Sequence, residues 1–99
     1  MKKIDLAISF SQNVREKLDE LEHKRQGTDI MGLAYVTAKY GSDKKEGWRL
    51  NLFGDVIDSS KLVFLEIFGY QVVLFNPERA GLLVGHSFDF DNGWLVKEY

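Results

Sequence analysis

The sequence predicts an α+β domain, mainly β, and three observations carry that prediction. One stripe at helical spacing stands near the N-terminus, at Val14, Leu18 and Leu21. Several later stretches rich in β-branched and aromatic residues alternate with period two. Polar segments containing glycine separate these stretches. The 99 residues form one domain, 1–99, because a chain of that length cannot divide into two cores. A hydrophobic share of 44% against 28% charged, with a net charge of -2, suits a packed fold and excludes a disordered tail.

The elements follow in order. Ser11 suits a helix N-cap, with a hydroxyl able to accept from a first-turn amide, and Gly27 supplies the stop. Arg15 with Asp19 and Glu20 with Lys24 are spaced i,i+4, so charged pairs cover the face that the apolar stripe leaves to solvent. Such a helix is expected on the outside of a sheet. From Ile30 the period becomes two: Met31, Leu33, Tyr35 and Thr37 share one face, and Ile30, Gly32, Ala34, Val36 and Ala38 the other. Both faces are largely apolar, which predicts a strand buried on both sides.

The segment from Gly41 to Gly47 reads as a polar loop bounded by glycines, followed by a half-exposed strand in which Trp48, Leu50 and Leu52 alternate with Arg49 and Asn51. Residues 55–60 read as a second loop. Leu62 to Ile67 and Tyr70 to Phe75 flank Phe68-Gly69 as two strands flank a tight hairpin turn. Asn76, Pro77 and Glu78 fit the start of a short helix over 77–83, with Asn76 as the cap and Pro77 where its missing N–H costs nothing. Gly85 breaks that helix, and His86 to Phe90 returns to extended chain. A final hairpin is expected to turn on a three-residue loop, Asp91-Asn92-Gly93, because that register sets Phe90 against Trp94 and Phe88 against Val96. A two-residue turn would set carboxylates against apolar groups.

Function classes are easier to exclude than to assign. The absence of cysteine removes disulfides, thiolate metal sites and cysteine nucleophiles. Asp5, Ser9 and Ser11 interrupt the apolar stretch after Lys2 and Lys3, so no export signal is expected. The runs Ile30 to Val36 and Ala80 to Gly85 fall far short of the ~20 residues that a membrane helix needs. The expectation is a soluble, cytoplasmic protein with no membrane partner. Short basic pairs without a dense run give no expectation of nucleic-acid binding.

The histidines, His23 and His86, sit on separate elements, each read as a surface or structural residue. Asp89 and Asp91 precede a glycine that comes too early for a calcium loop, and turn chemistry explains them. Asp55 and Asp58 likewise read as loop residues. No catalytic residue, metal ligand or cofactor-binding residue is expected, and no enzyme activity.

Several spaced residues resemble the A-type iron-sulfur carrier, or HesB-like, family almost end to end. Ile8, Ser9, Phe10 and Ser11 with Val14 and Leu18 are similar to its opening strand, capping residue and first helix. Gly69, Val72 to Phe75 and Asn76-Pro77 are similar to its glycine, apolar strand and turn. Leu83, Gly85, Phe88, Asp89 and Phe90 match its leucine, glycine, apolar residue, aspartate and aromatic residue at the same spacing. The resemblance implies a two-sheet sandwich or barrel-like fold with an N-terminal helix. The family's cysteines are missing; Ser42 occupies the region of the first, and its hydroxyl is too weakly acidic and too hard to replace a thiolate on a cluster.

The resulting expectation is a non-catalytic HesB-like domain of the cysteine-less branch, without cofactor, acting through a protein partner or as a homo-oligomer, with a possible link to iron-sulfur biogenesis. The alternative is a small-molecule or anion-binding domain using the 41–47 loop, with Lys44, Lys45 and His86. A metal-dependent enzyme built on His86 and aspartates ranks last.

Overall fold

The computed structural model describes residues 1–54 and 62–98. Among them the fold is mainly β, with one α-helix. The strands are β1 (Lys2–Lys3), β2 (Ser9–Phe10), β3 (Ile30–Tyr40), β4 (Asp43–Phe53), β5 (Val63–Ile67), β6 (Tyr70–Leu74), β7 (Ser87–Asp91) and β8 (Trp94–Lys97). The helix α1 spans Gln12–Lys24, and a 3-10 helix, η1, spans Pro77–Leu82. The expected loop at 55–60 lies outside the described residues.

All eight strands join one mixed sheet, in the order β1-β5-β6-β3-β4-β8-β7-β2, rather than two separate sheets. β1 pairs parallel to β5, β2 parallel to β7, and β3 parallel to β6; the remaining pairings are antiparallel. The two edge strands are neighbours in sequence, which fixes the shape. Lys3 and Ser9 are six Cα steps apart and span at most ~22 Å, whereas eight flat strands spaced ~4.8 Å apart would extend ~34 Å. The sheet therefore curls until its edges face each other, as an incomplete barrel. Ile4, Leu6, Ile8 and Phe10 are partly buried while Asp5, Ala7 and Ser9 are exposed, the period of a single extended segment running from one edge to the other.

Inside the curl lie Leu33, Leu50, Leu65, Ile67, Val72, Leu74, Leu83, Phe88 and Leu95, together with Val14, Leu18 and Leu21 of α1. The helix does not lie on the outside of the sheet. It crosses the end where β3 and β6 begin, held at its start by Ser11 and Asn13 on Asp89 and further along by Asp19, which accepts from the Tyr70 hydroxyl. The Ser11 hydroxyl thus donates across to β7 instead of accepting a first-turn amide. Lys24 pairs with Glu20 at 2.7 Å as the spacing predicts. The expected Arg15–Asp19 pair is absent among the described residues, because Arg15 lies over the Phe68 ring.

The hairpin at Phe68-Gly69 forms as expected, with both residues at positive φ (49° and 84°), a type I′ turn. Asn76 does not cap η1; its Oδ1 accepts from the Tyr35 N–H at 2.8 Å and ties the start of η1 to β3.

Two hairpins also depart from expectation. Residues 43–47 are strand: β3 and β4 form a continuous ladder down to Tyr40 against Asp43, closed by Gly41-Ser42 with Gly41 at φ +64°. Glycine at the first central position is the type II′ requirement. The final hairpin turns on two residues, Asn92 (φ 50°) and Gly93 (φ 93°), setting Asp91 opposite Trp94 and Phe90 opposite Leu95. Phe88, Phe90 and Leu95 face inward in that register, whereas Trp94 lies on the outer face. There its ring rests on Gly47, 3.3 Å from where a Cβ would stand, and the cations of Lys45 and Arg49 lie 4.7 and 5.0 Å from its centre. Trp94 is only 3% exposed, so the side chains of the neighbouring strand cover the ring that the expected register would have placed in the core.

Candidate functional site

The incomplete closure of the barrel leaves an open groove. The Lys2 N–H donates to the Leu62 carbonyl and the Ile4 N–H to that of Phe64, and there the ladder between the N-terminal segment and β5 stops. The segment then leaves β5 and joins the opposite edge: Gly85 N–H donates to the Ala7 carbonyl, Ser9 N–H to that of His86, and Ser11 N–H to that of Phe88. Between the departure and the rejoining lies an open groove of about 380 Å³, floored by Leu6, Ile8, Phe10, Leu65 and Ile67 and rimmed by Asp5, Glu66 and Phe68.

Strand parity determines what the groove offers. Val63, Leu65 and Ile67 point their amides at β6, so those of Phe64, Glu66 and Phe68 point toward the N-terminal segment. Ser9 and Ser11 bond β7, so the backbone groups of Ile8 and Phe10 point back into the groove. Among the described residues no backbone bond crosses between Glu66 and the segment from Leu6 to Phe10. Two strand edges with free donors and acceptors thus face each other over an apolar floor. The side-chain chemistry is sparse. Glu66 is paired with Lys3 at 2.8 Å, which holds the Glu66 carboxyl below its ordinary range and raises the Lys3 amine. Asp5 and Ser9 complete the polar lining, and Asp5 acts on the same Lys3 amine as Glu66.

The residues singled out by the sequence lie elsewhere. His23 is exposed near the end of α1, and exposed His86 stands edge-on to Phe88, the ring centres 6.3 Å apart. Asp89 is bound by Ser11, Asn13 and the Phe90 N–H, which together hold its carboxyl below the usual aspartate range. Asp55 and Asp58 lie outside the described residues. Among the described residues no three histidine, aspartate or glutamate side chains gather as a metal site. Nor, among the described residues, is any helix long and apolar enough to cross a membrane.

Lys44 and Lys45 do not converge. They alternate across β4, Lys44 bonded to Glu46 at 2.8 Å and Lys45 stacked on Trp94. Their backbone groups belong to the ladder with β3 rather than to an anion cradle.

The groove was not foreseen, although the alternation Ile4, Leu6, Ile8, Phe10 signals a strand there. Its two edges become a site only through pairing with β5 and β7, which are far away in sequence. No known protein-family model matches the chain, and no characterised protein or solved structure does so either.

Proposed function

We propose that the chain is a HesB-like domain without cluster chemistry, working in the cytoplasm through protein contacts, and that the contact is strand addition into the groove between β5 and the N-terminal segment. The observation that carries this reading is the pair of unpaired strand edges facing each other over Leu65, Ile67, Ile8 and Phe10. An extended segment of a partner would satisfy the backbone groups on either side and set alternate apolar side chains on that floor. The family assignment rests on the sequence resemblance, and a mainly β fold with a helix following a short strand is compatible with it. Without cysteine the chain offers no thiolate ligand, so any role in iron-sulfur biogenesis would be played through contacts with other proteins.

The test is selection of peptides from a random display library on the folded protein, followed by mapping of the bound peptide through amide chemical shifts. Selected peptides are expected to perturb Leu6 to Phe10 and Leu65 to Phe68, and to lose binding to Glu66→Pro, which removes one outward amide. Peptides that map elsewhere, or bind Glu66→Pro unchanged, would overturn the reading. Anaerobic reconstitution with iron and sulfide is expected to leave the protein colourless; a stable visible band from bound cluster would refute the absence of cluster chemistry.

A further inference from the structure

The groove between β5 and the N-terminal segment is closed at one end, and this limits what can enter it. In the plane of the sheet the closure is the bond from the Ile4 N–H to the Phe64 carbonyl, the last rung between the segment and β5. Over the outer face the Lys3 ammonium reaches across to the Glu66 carboxylate at 2.8 Å, so an ion pair bridges the fork just past that rung. On the inner face lie Leu65 and Ile67 of the core, with Ile4 and Leu6 packed against them. A strand laid between the two edges therefore has no course beyond Ile4 and Phe64. An internal stretch of a partner would have to leave through the ion pair or through the core, whereas a free chain end stops there without obstruction.

Charge decides which end of a chain suits the closure. Asp5 and Glu66 line the groove, and no lysine, arginine or histidine does. Strand alternation puts Lys3 on the same outer face as these two carboxylates and Lys2 on the other, so one positive charge stands against two negative ones. Lys3 gives its hydrogen bond to Glu66 and meets Asp5 only through its charge. The next cation, Arg15, lies at the far end of the groove over the Phe68 ring. The Ile4 carbonyl points the same way as the Ile4 N–H, and among the described residues it has no backbone donor. A carboxyl terminus would bring a third negative charge to this end. An α-amino group, protonated at pH 7, would offset the excess and offer its donors to Asp5 and to the Ile4 carbonyl. We propose that the groove receives the free N-terminus of a partner protein, its α-ammonium at the closed end beside Asp5 and its chain running parallel to β5 toward Phe68. This rests on the reading of the groove as a site of strand addition and combines that mode with capture of an N-terminal amine.

Three display libraries test this on the intact protein, with the random stretch at a free N-terminus, at a free C-terminus or held inside a loop, and with each selected peptide mapped by amide chemical shifts. Peptides that perturb Leu6 to Phe10 and Leu65 to Phe68 are expected from the first library. In synthetic copies of those peptides, acetylation of the amine is expected to weaken binding by about tenfold or more, the worth of a charge-assisted hydrogen bond, and amidation of the carboxyl end to change nothing. Affinity should fall as pH rises past ~8, where an α-amine loses its proton. Asp5→Asn, at an exposed position, should weaken the free peptide and leave the acetylated one unchanged. The wild-type comparison decides the matter if that variant fails to fold. Acetylated peptides that bind as tightly as free ones, an equal effect of Asp5→Asn on both, or groove binding only from the other two libraries would overturn the N-terminal assignment and leave strand addition standing. No groove-binding peptide from any library would overturn both.

Discussion

Asn92 and Gly93 both hold positive φ, and this decides how each responds to substitution. A left-handed conformation costs a residue with a Cβ ~1–2 kcal/mol, less for asparagine. Gly93→Val is expected to destabilise the protein by more than ~1 kcal/mol and Asn92→Ala by about 0.5–1 kcal/mol. A Cβ at Gly93 would approach the end of the flexible Arg49 side chain, which can move aside, so the backbone conformation sets the cost. Urea melts of both variants check this; an unchanged Asn92→Ala would restore the three-residue loop. Asp89 gives a prediction in pH. Its carboxyl is held below the ordinary range chiefly by the Ser11 hydroxyl, then by the Phe90 N–H and Asn13. The folded state therefore binds this proton less readily than the unfolded chain, so the contribution is complete above the ordinary aspartate pKa and is lost as pH falls through the lowered one. Glu20, Glu46 and Glu66 are lowered too, by surface lysines, and act in the same direction. Against that common background, melts taken from pH 6 downward should show the gap between wild type and Asp89→Asn closing with acid. A constant gap would remove Asp89 from the account.

At the scale of elements, β3 is the centre of the molecule, with β4 on one side and β6 on the other. Gly32 sits in it beneath the Phe75 ring; an added Cβ would overlap a ring carbon of Phe75 and stand 3.1 Å from the Val73 carbonyl oxygen. Gly32→Ala is expected to cost ~1–3 kcal/mol through overpacking, read as a lowered melting temperature. Phe75→Leu, which opens that space, should make the alanine cheaper. In α1, Leu18 is fully buried, and Leu18→Ala should cost ~2–5 kcal/mol. The helix was legible in the sequence because Val14, Leu18 and Leu21 need only local spacing to form a face. The hairpin at Phe68-Gly69 was legible for the same reason. The strand over 43–47 was hidden because Lys44, Lys45 and Glu46 have the composition of a loop. Their strand conformation comes from pairing with β3 and from Trp94, whose ring lies on Gly47 between Lys45 and Arg49. The signal that was available is Gly41-Ser42, a glycine-first two-residue turn after Tyr40. The last register was misjudged because a carboxylate facing an apolar group looks unfavourable in isolation, whereas the outer face gives Asp89 the start of α1 and gives Trp94 two cations.

For the whole molecule, the N-terminal segment acts as the hoop that draws both edges of the sheet together, bonded to β5 at one end and to β7 at the other. Amide hydrogen exchange should show this pattern: Ile4, Ser9 and Ser11 protected, and Ile8, Phe10, Glu66 and Phe68 exchanging fast. Protection of the second group in the isolated protein would mean that the groove is closed. The same hoop bears on how the protein is made. Lys2 pairs with Val63 and Ser9 with Ser87, so the segment Lys2 to Phe10 leaves the ribosome well before the strands to which it is bound. Until those partners appear, Ile4, Leu6, Ile8 and Phe10 have no strand to join, and α1 has no β7 on which to anchor its start. Closure therefore waits for β5 and β7, and with contacts this distant in sequence refolding belongs to the slow, millisecond-to-second class of β-rich domains. In the cell, that delay leaves the apolar stretch from Ile4 to Phe10 of the nascent chain uncovered until β5 and β7 have emerged.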